Sequence, residues 1–243
     1  MSAIRVIGIL PLLVAIVALP LPAAERPVKA LVFAEGYHYG PTGYELAGYL
    51  DGEMVPGVAA EFANTKNILE PAILAGYDVL VLFNHNDITA VQEKNISQFV
   101  SDGGGLVALH HVINSGNHNP ELNRLIGGYY VMEDGFLEHR DFNIVRIPGA
   151  EHPVLAGIPD KFMIYDDQDF RMRFYPGQAV VKLLGCDLAE GGPQEDCGWV
   201  RTEGAGRVVY LSPGDPLPKS PFIKNEPLSR LIVNAVRWAA GAE

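Results

Sequence analysis

At 243 residues, 48% hydrophobic and 19% charged, the chain has the make-up of one large domain with a full core, which excludes disordered and fibrous classes. Its formal charge of −11 at pH 7 disfavours nucleic acid and anionic membrane surfaces as partners and favours small neutral or weakly charged ligands.

The first residues read as an export signal. Arg5 precedes an apolar run from Val6 to Leu21 that contains Pro11 and Pro20, and Pro22-Ala23-Ala24 offers small residues for cleavage. The run is short of the roughly 20 residues that a membrane span needs. The reading is therefore a signal peptide over 1–24, a mature domain over 25–243 with no integral span, and a periplasmic or secreted product. Removing the signal takes away one positive charge and no acid, moving the net charge from −11 to −12.

Val28 to Ala34 has the length and apolarity of a buried strand and runs into Glu35-Gly-Tyr-His-Tyr-Gly-Pro41, read as a glycine-rich loop carrying His38 and Tyr37. Thr42 is placed to cap a short helix through Leu50, and Val58 to Ala63 is a weaker strand. Tyr77 to Phe83 is another buried strand, ending in Asn84-His85-Asn86-Asp87. Thr89 opens a helix with Val91, Ile96, Phe99 and Val100 near helical spacing, and Gly103 closes it. Three glycines then lead into Leu106-Val-Ala-Leu109, a run suited to a central parallel strand, with His110 and His111 at its carboxyl end. That edge is where open α/β sheets bind ligands, so both imidazoles are candidates for chemistry.

A short helix over Glu121 to Ile126 follows Pro120 and ends at Gly127-Gly128. Strands are read at Phe142–Ile147, Gln178–Leu184 and Arg207–Leu211, and a closing amphipathic helix at Leu228–Ala240. Strands alternating with helices predict an α/β fold with a mainly parallel sheet covered on both faces, and antiparallel additions in the second half where helices are scarce. Cys186 and Cys197 flank a Gly/Pro/Glu loop. In an exported chain they are expected to pair as a disulfide, closing a loop that contributes about 3 kcal/mol at best.

Several of these stretches together resemble the ThuA-like (trehalose utilisation) family: Asp78 to Phe83, Asp102 to His110, His139, Glu151-His-Pro-Val-Leu-Ala-Gly-Ile-Pro159, Tyr165-Asp-Asp167, and Gly206 to Gly214 with Arg230 to Trp238. The resemblance spans nearly all of the mature chain. It implies a class I glutamine-amidotransferase-like fold, a flavodoxin-like three-layer α/β sandwich. Two departures stand out. Histidine replaces the amidotransferase cysteine nucleophile after the central strand, so that thiol chemistry is excluded. Gly214-Asp215 stands where many ThuA-like proteins carry Gly-His.

The resemblance implies carbohydrate catabolism through 3-keto sugars. A 3-keto glycoside has an acidic proton at C2, so a histidine base with an oxyanion stabiliser could isomerise it, eliminate its aglycone or support hydrolysis. The enzyme classes left open are lyase, isomerase and hydrolase. The catalytic candidates are His110, His139 and Asp167, with Asp167 as the orienting carboxylate. The ligand-binding candidates are His38, Tyr37, Glu138 and Asp215. If His38, His110 and His139 converge they could instead hold zinc or another divalent metal. Tyr37, Tyr39, Tyr44, Tyr129, Tyr130, Phe170 and Tyr175 could supply a sugar-stacking platform. The competing reading is a non-catalytic sugar-binding or accessory protein. Neither a monomer nor a homo-oligomer is excluded.

Overall fold

The computed structural model describes residues 26–85, 88–113, 118–131, 136–169, 172–187, 195–216 and 222–242. The expected signal over 1–24 and the Gly191-Gly192-Pro193 turn lie outside these residues, as do Phe170 and the side chains of Glu138 and Asp167.

In chain order the elements are β1 Val28–Phe33, α1 Gly36–Leu50, β2 Val58–Ala63, α2 Pro71–Leu74, β3 Val79–Leu82, α3 Ala90–Ser101, β4 Gly105–Leu109, α4 Pro120–Ile126, β5 Gly128–Tyr129, β6 Phe136–Arg146, β7 Lys161–Asp169, β8 Arg173–Phe174, β9 Val181–Asp187, β10 Glu195–Glu203, β11 Gly206–Leu211 and α5 Glu226–Ala239. Nine strands form one sheet in the order β2-β1-β3-β4-β11-β10-β9-β6-β7, and β5 pairs with β8 separately. The first five in that order are parallel neighbours, a doubly wound arrangement of the flavodoxin type. The other four strands extend the sheet by antiparallel pairing.

The parallel strands are apolar runs because both of their faces are covered. Val32, Val81, Val107 and Val209 face a core shared with α1 and α5. Leu31, Leu80, Leu106 and Val208 alternate to the other face, where Ile96 and Val100 of α3 and Leu122 and Leu125 of α4 cover them. The caps of α3 agree with the sequence, whereas Thr42, expected to cap a helix through Leu50, lies inside α1, whose N-cap is Glu35. Thr89 and Gln92 form a reciprocal capping box at α3, and Gly103 leaves that helix at φ +116°.

Two expectations about the elements are corrected here, and two strands were not expected at all. The stretch Glu35–Pro41 is the first turn and a half of α1, which starts at Gly36 with Pro41 inside it. The helix forms because Tyr39, Gly43, Leu46, Ala47 and Leu50 recur at helical spacing and are buried together. At Gly43 an added Cβ would lie 2.4 Å from the Ala34 Cβ, so only glycine lets α1 settle this closely on the end of β1. β6 begins at Phe136, six residues before the expected strand. β7 and β10 carry no continuous apolar run, yet β7 alternates exposed Lys161, Met163 and Tyr165 with buried Phe162, Ile164 and Asp166.

Neither cysteine lies in a loop. Cys186 is in β9 and Cys197 in β10, both fully buried. They are free thiols and not a disulfide. The Cys186 thiol is hydrogen-bonded to Cys197, and burial, then this contact, pushes it well above the usual thiol range.

Candidate active site

Residues just past the ends of β3, β4 and β11 meet side chains from within β6 and β7 at the carboxyl edge of the parallel strands. β4 delivers His110, whose φ of +54° is left-handed, a conformation that costs a non-glycine residue about 1–2 kcal/mol. The turn is held from both sides. The Tyr210 hydroxyl of β11 donates to the His110 carbonyl at 3.0 Å, and His110 Nδ1 lies 2.8 Å from the Ser212 carbonyl oxygen. A carbonyl only accepts, so Nδ1 carries the hydrogen and the basic lone pair of the neutral ring belongs to Nε2.

That Nε2 lies 3.4 Å from Asp215 Oδ1, and the other oxygen of the same carboxylate is 2.6 Å from His139 Nε2. Asp215 therefore sits between two imidazoles, one from β4 and one from β6. Burial, the largest influence on Asp215, raises its pKa. The contact with His110, then that with His139, outweighs burial and holds the carboxyl below the usual carboxylate range. The loop bearing Asp215 is fixed by Asp166 of β7, a buried carboxylate that accepts from the Gly214 backbone N–H at 2.7 Å and the Asp215 N–H at 3.2 Å. Two hydrogen bonds from backbone amides meet the requirement that a buried carboxylate be paired.

A second, neutral arm lies beside the first. His111 stacks on His110 with ring centroids 3.9 Å apart, and its Nδ1 is 3.0 Å from the Tyr39 hydroxyl. His85, from the end of β3, packs edge-on against both His111 and Tyr39. Burial, followed by the neighbouring His110 and His85, lowers the His111 pKa to about 2, so this imidazole is neutral throughout the physiological range.

Of the candidates named from sequence, His110, His139 and Asp215 are brought together, with Asp215 between the two imidazoles, while the side chain of Asp167, first given the orienting role, lies outside the described residues. From the Tyr165–Asp167 stretch the side chain seen to hold the site is Asp166. His38 and Tyr37 are exposed on the first turn of α1 and pack on each other. Among the described residues no group of three or more His, Cys, Asp or Glu side chains is arranged to hold a metal ion, so the set His38, His110 and His139 is not assembled. The aromatic platform also disperses. Tyr44 packs on Phe62, Tyr129 packs on Tyr175, and of that set Tyr39 joins the histidines.

Sequence reasoning missed Asp166, Ser212 and Tyr210 as supporting residues and gave Tyr39 only a stacking role. Strand alternation in β7 would have turned Asp166 inward, while the Ser212 contact is made by a carbonyl and has no residue-type signal. His152 accepts from the Val154 N–H and packs on Trp238, away from the site.

Parallel strands in the order β2-β1-β3-β4-β11, with His110 in a left-handed turn just after β4, define an α/β protein of the flavodoxin-like type. The family model ThuA, described as trehalose utilisation, matches residues 29–239, and the chain belongs to this family. Solved structures agree on the fold. A ThuA-like protein from Bacteroides uniformis is 19% identical with a TM-score of 0.69, covering 91% of this chain and 95% of that one. A ThuA-like protein from Parabacteroides merdae is 17% identical with a TM-score of 0.71, covering 90% and 91%. The β-galactosidase of Rahnella sp. R3 is 15% identical with a TM-score of 0.57, covering 89% of this chain but 31% of the enzyme. No curated protein sequence matches the chain.

Proposed function

We propose that this protein is an exported member of its family that moves a proton on a keto-sugar or keto-glycoside, with His110 as base, Asp215 as its charge partner and His139 as the second proton-transfer group. The observation that carries this reading is the single carboxylate of Asp215 held between His110 Nε2 and His139 Nε2. His110 Nε2 is buried against Asp215, so the substrate must shift that side chain on entry. A 3-keto glycoside then loses its C2 proton to Nε2, and the resulting imidazolium is stabilised by the neighbouring Asp215 carboxylate. The electron pair left at C2 delocalises onto the ketone oxygen. Returning a proton at another position gives isomerisation, and expelling the β-substituent gives elimination.

Neutral His111 and Tyr39 support the same chemistry by keeping a second imidazole uncharged beside the base, so that His110 is the ring of the stacked pair that takes the proton. The wall next to His139 is Tyr165, whose ring lies within 24° of parallel to that imidazole and is 39% exposed. Its free face suits the apolar side of a sugar ring.

The experiment is deuterium uptake at C2 of a 3-keto glycoside in D2O, followed by proton NMR. The wild-type protein is expected to catalyse uptake, and His110→Ala and Asp215→Asn to slow it by about 10²-fold or more. Saturable binding of the sugar with no exchange in the wild type would leave the sugar-binding reading in place. Export is tested by the mass of the secreted or periplasmic product, expected to begin after Ala23 or Ala24.

A further inference from the structure

We propose that Cys186 and Cys197 form a dithiol–disulfide modification site whose oxidation state is transmitted to His110. The support is a continuous row of contacts across four adjacent strands. Cys186 in β9 touches Cys197 in β10. The Cys197 carbonyl accepts from the Ser212 N–H at 2.8 Å, just past the end of β11. The Ser212 carbonyl in turn receives His110 Nδ1–H at 2.8 Å, past the end of β4. A second connection runs through Asp166, which fixes the Asp215 loop and whose charge bears on the Cys186 thiol.

The position of Cys197 adds a reason for the thiols to act as a lever. The β9–β10 register slips between Asp196 and Gly198 and again between Gly198 and Trp199, so Cys197 stands in an irregular stretch of an otherwise regular ladder. Bulged backbone is where a ladder bends most easily. A disulfide needs its sulfurs about 2.05 Å apart, much closer than a thiol hydrogen bond allows, so bridging draws β10 toward β9 at the residue whose carbonyl positions Ser212. A shift near 1 Å in such a supporting contact is of the size that changes rates on the order of 10²-fold.

The chemistry is thiol–disulfide exchange with a small-molecule or protein disulfide. One cysteine thiolate attacks that disulfide and releases a first thiol. The second cysteine then displaces the other half, leaving the Cys186–Cys197 bond and two reduced thiols that carry both electrons and both protons. Both cysteines are fully buried, so exchange waits on local opening of the β9–β10 pair and is slow.

The test is prolonged incubation of the purified chain with excess oxidised glutathione, reading intact mass and the ring resonances of the histidines by 1H–13C NMR. The expected result is loss of two hydrogens with no retained glutathione. The His110 and His139 resonances should move while that of His152, packed on Trp238, stays put. Dithiothreitol should reverse every change, and Cys197→Ala should show none. If that variant does not fold, reversibility in the wild type decides. A bridge that forms without moving His110, a mixed disulfide in place of the bridge, or thiols that stay reduced once β9–β10 opening is seen by hydrogen exchange each overturns the proposal. The readout needs no substrate, so it stands or fails separately from the keto-sugar reading.

Discussion

The two halves of the sheet solve the same burial problem differently. In β1, β3 and β4 every residue points into one of two cores, apart from Lys29 at the start of β1, and the strands are written in consecutive valine, leucine and alanine. In β7 one face is buried and the other is exposed, and the sequence alternates. His110 belongs to the first half and is 2% exposed, whereas His139 belongs to the second with its side chain 37% exposed. Asp215 joins the two. A buried base needs a defined proton state, while a half-exposed partner can exchange with solvent, and the site takes one imidazole from each environment.

The sharpest way to break this comparison is to remove the two imidazoles separately. His110→Ala is expected to lower deuterium uptake by about 10²–10⁴-fold, the usual range for a general base. His139→Ala should cost less, because water reaches its position. Equal losses would mean that exposure does not distinguish their roles. His110→Gly is expected to match the alanine variant in activity but to be more stable by about 1 kcal/mol, since glycine adopts the left-handed turn without strain.

The crowded parallel half should respond to added volume by unfolding. At Gly206 a Cβ would lie 2.1 Å from the Val100 carbonyl oxygen and 2.4 Å from that of Gly104, both backbone atoms that cannot swing aside. Gly206→Ala is expected to destabilise the chain by about 3 kcal/mol in urea unfolding, at the upper end of overpacking costs. A change below about 1 kcal/mol would show that β11 and α3 can separate.

These contrasts also explain what the sequence made legible. Apolar runs bounded by glycine identified β1, β3, β4 and β11, and the strand-end position singled out His110. Gly214-Asp215 was visible as a departure from its family. β10 was not visible, because Glu195-Asp-Cys-Gly lacks any apolar pattern and its burial is conferred by its neighbours β9 and β11. The start of α1 was hidden because glycine and proline signal loops, and only the packing of Tyr39 and Leu46 overrides them. Asp166 needed the strand alternation, and Ser212 acts through its backbone.

His111 gives an effect of intermediate size with a definite sign. Its folded pKa of about 2 lies far below its ordinary 6.5, so between those values the unfolded chain binds a proton that the folded one refuses. Stability from this group is complete above about pH 6.5 and declines as pH falls toward the folded value. The slope approaches about 1.4 kcal/mol per pH unit for one proton. His111→Gln retains a hydrogen-bonding group for Tyr39 but does not titrate. The difference in unfolding free energy between wild type and variant should therefore narrow with that slope from pH 6.5 to 4.5. Parallel curves would mean that His111 titrates normally and that the neutral arm of the site does not exist.

The smallest expected effect tests the open face of the antiparallel half. Met163 and Val181 are 61% and 54% exposed, on two of the strands that lack a second covering layer. If solvent covers them, Met163→Lys and Val181→Thr should each change stability by no more than about 0.5 kcal/mol, the usual range for surface substitutions. Their sedimentation should match the wild type. A covered face behaves differently. In an apolar contact between two copies, Met163→Lys would leave a desolvated ammonium without a partner, and the substitution would dissociate the assembly or cost well over 1 kcal/mol. Val181→Thr separates the two cases further, since it keeps the β-branched shape that suits a strand and adds only a hydroxyl. Neutrality for both variants assigns the asymmetry of the two halves to a single chain, and a loss for both assigns it to a homo-oligomer whose partner supplies the missing layer.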